Sequence, residues 1–364
     1  MPNLFISNDL NTGSSGDIVC QQELIALKSL GEDIIEIGNN DTNPVLHNLP
    51  DSPFFQDYLA LNRLFEIDLS NIKIAHFYGA PFRSTINYLK SNRVITTNTV
   101  AAHDRRESIN EFGNLGIPYP YSHISNDMLW NMYFGTGDAD VIIVPSNLSK
   151  SVLEKEGCKQ NIQVIPHGID IPDPSQIQLI GELSKGMLKS EFTVGYIGQY
   201  GPDKGIRYLI EAWSQLNYQD DSLLILGGSQ ANRNLEPFIR KYSTGGKFNL
   251  IGWIENIHTF YNLCSIYVQP SITEGMGMEV IEAASHGRPI IVSNGCGAKD
   301  YVIDGDNGFI VNRRDPKAIA EKIAWFKYHQ QEMYIMSGHN KQMAKKYDWK
   351  LIREKYTNLW KSLL

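Results

Sequence analysis

Along the chain, short runs of apolar residues alternate with longer stretches in which the apolar residues recur at the spacing of a helix. Each short run is bounded by Gly, Pro or polar residues, which is typical of strands buried on both faces of a parallel sheet. Cys20, Leu24, Leu27 and Leu30, for example, lie on one face of a predicted helix. Strands are predicted at residues 4–6, 34–37, 72–77, 94–97, 141–144 and 163–165.

The pattern stops at residues 171–175 (Ile-Pro-Asp-Pro-Ser), the best candidate for a linker, and then begins again. Alternating strands and helices predict right-handed βαβ units and an open sheet covered on both faces. The sequence therefore predicts an α/β protein with two doubly wound, Rossmann-like domains, at residues 1–172 and 173–347. In the second domain, strands are predicted at residues 193–197, 223–226, 266–269 and 289–293, with helices at 205–216 and between the last two strands.

The charges are unevenly distributed along the chain. Its 364 residues, a length that predicts two or three domains, include 33 Lys+Arg and 40 Asp+Glu, a formal net charge of −7. Residues 1–170 contain 11 basic and 20 acidic side chains, whereas residues 171–364 contain 22 and 20. A protein that coats nucleic acid would present a basic face, so nucleic acid is not expected as a partner.

Signals for export or membrane insertion are not evident. No apolar run approaches the roughly 20 residues of a membrane helix, and the first residues lack the basic flank and long apolar core of a signal peptide. Cys20, Cys158, Cys264 and Cys296 are far apart and form no C-x-x-C pair. Neither a metal cluster nor a disulfide framework is therefore expected, and reduced thiols in the cytoplasm are the favoured interpretation.

Three loops have the composition to bind a ligand at the carboxyl ends of strands. The first, at residues 12–17, contains Gly13 and Gly16, whose backbone amides could approach an anion at the following helix. On its own this signal is weak, because glycines also occur where a turn is merely tight. The second, at residues 198–205, contains Lys204, which is suited to phosphate but is not in a Walker loop. An exposed surface lysine is the alternative interpretation.

The third loop, which follows the predicted strand 266–269, carries the strongest signal. Glu274 lies in the loop, while Gly275 and Gly277 free the backbone at the mouth of the next helix. At a rise of roughly 1.5 Å per residue, Glu282 lies about 7 Å past that mouth, within the length of a nucleotide sugar. The helix mouth would accept a diphosphate and the two carboxylates would accept hydroxyl groups on either side. Glu279 is expected to be a solvated helix residue.

Two acidic strings raise the question of a metal site. Asp138 and Asp140 adjoin a predicted strand and indicate a capping turn, and residues 304–308 (Asp-Gly-Asp-Asn-Gly) indicate a hairpin turn, because the rest of a calcium loop is missing. No metal is predicted.

Several motifs resemble those of one enzyme family. Glu274 and Glu282 form an E-x7-E motif in the context P-S-x-x-E-G-x-G-x-x-x-x-E-A. Similar strings occur at residues 140–146, 164–170, 252–254, 287–291 and 304–309. The chain resembles the retaining glycosyltransferases of family 4, which implies the GT-B fold, with two Rossmann-like domains facing across a cleft. The resemblance also implies that the first domain binds the acceptor, and that the helix at 348–364, which starts near Trp349, packs back on it.

The resemblance implies roles for individual residues. Glu274 would bind the donor sugar's hydroxyls, Glu282 the ribose, and Lys204 the diphosphate, assisted by the loop of Gly13 and Gly16. His103 resembles the family histidine near the anomeric centre, so His103, Lys204 and Glu274 are the candidate catalytic residues. His76 and His167 are expected to be structural. Further donor-binding candidates are Gly275, Met276 and Gly277 through their backbone amides, and Trp253 and Ile254 at the base.

One position departs from the family pattern. The family usually has Arg five residues before the phosphate-binding Lys, whereas this chain has Gln199. Gln can donate a hydrogen bond to phosphate but contributes no charge, and charge-assisted bonds are roughly twice as strong as neutral ones. Either donor affinity or rate is reduced, or Arg207 on the following helix takes the place of the missing Arg.

The implied activity is transfer of a sugar from a UDP-, GDP- or ADP-linked donor to an acceptor hydroxyl in carbohydrate biosynthesis, with retention and without metal or cofactor. The acceptor would be a sugar, a small molecule or a lipid-linked glycan. Because the first half is acidic, at most peripheral membrane contact is expected, and a neutral or soluble acceptor is preferred. The alternatives are a sugar-nucleotide epimerase-like enzyme and a catalytically degenerate nucleotide-sugar-binding protein of the same fold.

Overall fold

A computed structural model of the chain describes residues 3–7, 15–31, 33–38, 60–61, 64–78, 83–102, 104–116, 118–119, 138–172, 190–218, 222–228, 247–254 and 256–364. The chain divides into two compact units. The first unit comprises Met1–Ala102, Pro120–Gly168 and Trp349–Leu364, and the second comprises His103–Tyr119 and Ile169–Asp348. The domain boundary at residue 172 stays a prediction.

The described residues contain strands and helices in alternation. The strands are β1 Asn3–Ser7, β2 Ile34–Gly38, β3 Ile74–Tyr78, β4 Ile95–Thr99, β5 Val141–Val144, β6 Asn161–Val164, β7 Phe192–Ile197, β8 Ser222–Gly227, β9 Lys247–Gly252, β10 Ile266–Gln269, β11 Ile290–Ser293 and β12 Gly308–Val311. The α-helices are α1 Ser15–Lys28, α2 Arg83–Ser91, α3 Arg105–Asn114, α4 Asn147–Lys155, α5 Ile206–Leu216, α6 Ile257–Leu263, α7 Met278–Ser285, α8 Pro316–Tyr328, α9 Gln330–Ala344 and α10 Trp349–Leu363.

Each unit is built on a six-stranded sheet. The order is β2-β1-β3-β4-β5-β6 in the first unit and β12-β11-β10-β7-β8-β9 in the second. Every pairing between these strands is parallel. In the second unit the order reverses where β7 lies beside β10, with Ile266 opposite Val194. Such a reversal leaves a crevice beyond the carboxyl ends of the two strands. The prediction of two doubly wound parallel sheets is confirmed.

The central strands have the apolar, β-branched composition that burial on both faces requires. Every residue of β5, β7, β8, β10 and β11 is buried. In the second unit, two hydrophobic clusters pack against the sheet: one includes Trp213 and Phe326, and the other Tyr261 and Tyr267. Gly195 in β7 permits close packing of the second cluster, because a Cβ there would lie 2.2 Å from the Cys264 sulfur.

Helix α10 packs against α1 in the first unit. Its apolar stripe is buried at Trp349, Ile352, Tyr356 and Trp360. The Trp360 indole Nε1 donates to Thr97 Oγ1 at 3.2 Å, and its ring lies 5.0 Å from the ring of His76. The apolar stripe of α10 is thus a packing surface within the first unit.

The structure corrects several boundaries. Helix α1 begins at Ser15, so residues 15–17 of the predicted loop at residues 12–17 lie inside the helix. Strands β9 and β12, the two edge strands of the second sheet, were not predicted: polar residues interrupt β9 at Lys247 and Asn249, and β12 has only three apolar residues, directly after the turn at residues 304–308. Residues 304–308 form a turn, but not the predicted hairpin, because the turn leads into β12, which pairs in parallel with β11.

Candidate functional site

Two loops meet beyond the carboxyl ends of β7 and β10, at the reversal of strand order in the second unit. After β7, a 3₁₀ turn at Pro202–Lys204 ends at Gly205, which has a positive φ of 67°. The Asp203 carbonyl accepts hydrogen bonds from Ile272 N at 2.7 Å and Thr273 N at 3.4 Å. A Cβ at Gly205 would lie 2.1 Å from the Pro270 carbonyl oxygen, so only glycine allows this approach. The loops predicted to bind the donor are therefore in direct contact.

The two loops present an ion pair. Lys204 Nζ donates to Glu274 Oε2, and the two side chains are only 19% and 18% exposed. Burial disfavours the charged ammonium of Lys204, but neighbouring carboxylates more than offset it, and the pKa of Lys204 is raised above its ordinary value. These carboxylates belong to Glu274, Glu279 and Asp203. Lys204 is consequently a cation throughout the physiological pH range.

The backbone of Glu274 is held from the next loop. Glu274 N donates to the Gly295 carbonyl at 2.9 Å, and the Glu274 carbonyl accepts from Gly297 N at 2.9 Å. Helix α7 then starts after Gly277, the N-cap, whose φ is 82°. A Cβ at Gly277 would lie 2.6 Å from Cys296 Sγ. The absence of a side chain at Gly277 therefore lets the start of α7 lie close to Cys296 and Glu274. Gly275 and Met276, which lie between Glu274 and Gly277 in the sequence, are both buried.

Helix α7 adds two further carboxylates to the site. Glu282 accepts a hydrogen bond on Oε2 from the Tyr261 hydroxyl at 2.8 Å. Burial raises the pKa of Glu282 to about 7, with Glu279 and Asp170 acting in the same direction and Tyr261 in the opposite one.

Glu279 was expected to be a solvated helix residue, but its environment in the structure is different. Its side chain is partly buried, and burial raises its pKa together with the Glu274 carboxylate, against the opposing effect of Lys204. The helical spacing around Glu279 does not reveal this, because the approaching group comes from the loop after β7: Glu279 Oε1 lies 3.8 Å from where a Cβ on Gly198 would be. Lys204 therefore has three carboxylates in its vicinity: Asp203 on its own loop, Glu274 on the loop after β10 and Glu279 on α7.

The two residues predicted at the base pocket have different environments. Trp253, which follows β9, is 77% exposed, whereas Ile254 is buried in the hydrophobic cluster that contains Phe260. Trp253 is thus available to stack on a ligand, and Ile254 mainly supports the loop. Their roles in donor binding stay predictions.

Position 199, at which the family usually has Arg, is exposed to solvent. The Gln199 carbonyl accepts a hydrogen bond from the Tyr196 hydroxyl at 3.0 Å. Arg207, the possible substitute, is engaged elsewhere: its Nε lies 2.8 Å from Glu111 Oε1, and its guanidinium lies over the ring of Tyr208. The structure therefore gives no support to Arg207 as a phosphate ligand.

Glu111 belongs to a charged cluster that sequence reasoning missed. It is fully buried on α3 and also contacts Arg314 Nε at 3.0 Å, while Glu107, one turn earlier, contacts Arg313 at 3.1 Å and Arg314 at 2.7 Å. The i, i+4 spacing of the two glutamates was the available signal. At its other end α3 is tied to the Glu274 loop, because Asp104 N donates to Thr273 Oγ1 at 2.7 Å.

The remaining candidates are in the first unit or outside the described residues. His103 and Gly13 lie outside the described residues. Gly16 lies in the first turn of α1. His76 is fully buried between Glu23 Oε2 and Thr97 Oγ1, each at 2.8 Å. Burial lowers the pKa of His167 to about 4.

Two general features concern the described residues alone. Among them, no group of three or more His, Cys, Asp or Glu side chains is placed to hold a metal ion. None of the helices in these parts of the chain has the length and apolar character needed to cross a membrane.

Comparison with known proteins extends these observations. Residues 184–343 match the model of the family described as Glycosyl transferases group 1. The capsular polysaccharide biosynthesis glycosyltransferase CapM of Staphylococcus aureus is 28% identical over 239 residues, which represent 62% of this chain and 62% of that protein. The match thus spans less than two thirds of the relative's own length.

Solved structures share the fold across the whole chain. The sucrose-phosphate synthase of Thermosynechococcus elongatus has a TM-score of 0.78 at 18% identity, covering 100% of this chain and 99% of that one. Anabaena HepE, solved in complex with UDP and glucose, has a TM-score of 0.71 at 17% identity, with 100% of both chains covered. Together with the two parallel sheets, the solved structures show that the chain has the GT-B fold, and its residues 184–343 are similar to the glycosyl transferases of group 1.

Proposed function

We propose that this protein is a glycosyltransferase, which moves a hexosyl group from a nucleoside diphosphate sugar to an acceptor hydroxyl, with retention of the anomeric configuration and without a metal ion. The observation that carries the proposal is the Lys204–Glu274 ion pair at the reversal of strand order, beside the mouth of α7. A cation, a helix N-terminus and a hydroxyl acceptor within one short loop system suit a phosphorylated sugar.

Lys204 would stabilise the leaving diphosphate. Since its pKa is raised by the surrounding carboxylates, the ammonium keeps its charge as negative charge develops on the departing phosphate oxygen. On ligand binding the ammonium would share its hydrogen bonds between Glu274 and phosphate. The partial positive charge at the start of α7 would act in the same direction.

Glu274 and Glu282 would hold the two ends of the donor. Glu274 would accept hydrogen bonds from sugar hydroxyls, and Glu282, at the far side of α7's first two turns, from the ribose. Retention would follow from attack on the face that the diphosphate leaves, with the leaving oxygen taking the acceptor proton. No protein nucleophile is then required. His103 would lie near the anomeric centre, as the family resemblance implies.

The proposal leaves the base of the donor nucleotide and the identity of the acceptor to be determined by experiment. A structural neighbour binds UDP and glucose, which makes UDP-glucose the first donor to test. UDP-, GDP- and ADP-sugars are the candidate donors, and a sugar, a small molecule or a lipid-linked glycan the candidate acceptor. The absence of charge at Gln199 favours, as a second candidate, a nucleotide-sugar-binding protein that has lost turnover.

Release of nucleoside diphosphate from a panel of UDP-, GDP- and ADP-sugars, measured with excess chelator, tests the proposal. Lys204→Gln should lower the rate by about 100-fold to 1,000-fold, the usual effect of removing one group that stabilises developing negative charge. The matched control is Lys317→Gln, because Lys317 is 83% exposed on α8 and should be replaceable without effect.

Three results would contradict parts of the proposal. Binding of a donor without any release supports the degenerate binding protein. Release that is independent of Lys204 removes the proposed role of the ion pair. Release that stops with chelator shows a metal requirement. The anomeric configuration of the product, read by proton NMR, decides between retention and inversion.

A further inference from the structure

Helices α6 and α7 face each other behind the proposed ribose site. His258 and Tyr261, three residues apart on α6, meet Glu282 on α7 and His286, four residues later, which caps the carboxyl end of α7. Spacings of three and four residues place side chains on one face of a helix. His258 Nδ1 lies 3.0 Å from His286 Nε2, and the Tyr261 hydroxyl donates to Glu282 Oε2 at 2.8 Å. The two helices are therefore joined along one face by polar contacts.

Tyr261 has little freedom in this position. Its side chain is completely buried, with the ring of Tyr267 at 5.8 Å and the ring of His286 at 5.1 Å. A phenol enclosed by two rings points its hydroxyl in a defined direction. The Glu282 oxygen that receives the hydrogen bond is consequently held in place from behind.

Glu282 has no cationic partner in the described parts of the chain: no Lys or Arg there forms an ion pair with it. The charged groups that act on it are Glu279, on its own helix, and Asp170, and both oppose its ionisation. His286 adds no positive charge at neutral pH, because burial lowers its pKa to about 4. The Tyr261 hydroxyl is the group that favours the carboxylate form, and it contacts Oε2 alone, which leaves Oε1 for a ligand.

We propose that Tyr261 is a positioning residue for nucleotide binding, which fixes Glu282 through Oε2 and presents Oε1 to the ribose hydroxyls. This inference rests on the proposed function, since it requires a nucleotide at Glu282. A carboxylate accepts hydrogen bonds from hydroxyls more strongly when ionised. Because the pKa of Glu282 is about 7, nucleotide affinity should rise with pH across neutrality, and loss of the Tyr261 hydroxyl should move that rise to higher pH.

The test is calorimetric titration of the full chain with UDP, GDP and ADP between about pH 6 and pH 8.5, on either side of the Glu282 pKa. For the nucleotide that binds, Tyr261→Phe should weaken the affinity at pH 7 by about threefold to tenfold, the loss expected for one hydrogen bond to a charged group. The preference for the nucleotide over its 2′-deoxy analogue should also fall, since the ribose contact is no longer held. A residue with only a structural role would not change that preference.

Two comparisons sharpen the experiment. Tyr301→Phe is the matched control, because Tyr301 is also buried and its hydroxyl donates to Asn340 Oδ1 at 3.0 Å, away from Glu282. It should leave affinity, pH profile and 2′-hydroxyl preference unchanged. In a Glu282→Gln background, Tyr261→Phe should have no further effect on affinity, because Tyr261 acts through the carboxylate.

The outcomes separate this inference from the proposed function. If none of the three nucleotides binds the wild-type protein, the proposed function fails and the inference fails with it. If one binds but Tyr261→Phe changes neither affinity nor 2′-hydroxyl preference, the inference alone is overturned. Should Tyr261→Phe not fold, the wild-type titration decides: affinity that rises with pH and becomes flat in Glu282→Gln supports the inference, and a flat wild-type profile overturns it.

Discussion

Glu282, the residue proposed to bind ribose, carries an energetic cost in the free protein. Its carboxyl is enclosed by α6 and α7, and burial raises its pKa from an ordinary value near 4.5 to about 7. The unfolded chain therefore loses this proton more readily than the folded protein does. Near neutral pH the buried carboxyl becomes a source of instability, which a bound ribose would relieve. Functional residues often carry such a cost.

The pH dependence of stability should reveal this cost. The contribution of Glu282 is most favourable below about pH 4.5 and declines as pH rises toward its folded-state pKa of about 7. We therefore expect Glu282→Gln to raise the free energy of unfolding by about 1 to 3 kcal/mol at pH 8, and to change it little at pH 4.5.

Urea unfolding at the two pH values measures the effect. Glu332→Gln is the matched control, because Glu332 is exposed on α9 and should affect stability little at either pH. A Glu282→Gln protein that is less stable than wild type at pH 8 would contradict the account of Glu282 as a buried group with an unfavourable charge.

At the scale of elements, loops and helix ends of the second unit determine the site, and the sheet determines where they meet. The β7 and β10 loops contact each other because their strands are neighbours, although about 70 residues separate Lys204 from Glu274 in sequence. Helix α3 fastens to this region through Glu111 and Asp104, which lie at opposite ends of the helix. The site is thus supported by an element that precedes the second sheet in the chain.

Helix α10 is the element whose packing gives the clearest prediction. Trp360 is fully buried and contacts His76 and Thr97, so Trp360→Ala should leave a large cavity. Its expected cost is about 3 to 5 kcal/mol of unfolding free energy, the usual range for removing a buried aromatic side chain. Leu351→Ala on the same helix is the control, because Leu351 is 42% exposed and should cost much less. Chemical denaturation measures both, and equal costs would refute the packing role assigned to Trp360.

At the scale of the whole molecule, the uneven charge bears on where the protein acts. The first 170 residues carry a formal net charge of −9, whereas the rest of the chain carries +2. An acidic first half repels an anionic surface, and a nearly neutral second half suits an anionic donor. Residues 83–106 are the exception in the sequence of the first half: Arg83, Lys90, Arg93, Arg105 and Arg106 form a local basic group along the chain. One member is already compensated, since Lys90 Nζ lies 3.0 Å from Asp140.

Vesicle binding provides the corresponding measurement. At about 0.15 M salt, where charges beyond roughly 8 Å are screened, we expect little co-sedimentation with phosphatidylserine-containing vesicles. Lowering the salt should increase binding only slightly, because the acidic side chains are then repelled more strongly. Strong binding that disappears with salt would show instead that the local basic group dominates, and would favour a lipid-linked acceptor.

The sequence by itself determined the fold class and much of the proposed site. Strands buried on both faces require continuous apolar runs, so the sequence predicted the central strands of both sheets. The E-x7-E motif spans only nine residues, so the sequence also placed Glu274 in a loop and Glu282 in the helix that follows it. Such features depend on residues close together in the chain, and a local pattern is sufficient to predict them.

Only the tertiary structure decided which distant residues act on that motif. Tyr261 approaches Glu282 because α6 lies against α7, and Arg207 is occupied because α3 brings Glu111 to it. Glu279 is partly buried where the loop after β7 approaches it. Tyr261, Glu279 and Arg207 have no distinctive local pattern, since burial and charge pairing depend on which surfaces the sheet order places together. The sequence therefore determined which residues are available for the chemistry, and the packing of helices and loops around the sheet decided their protonation, their orientation and their partners.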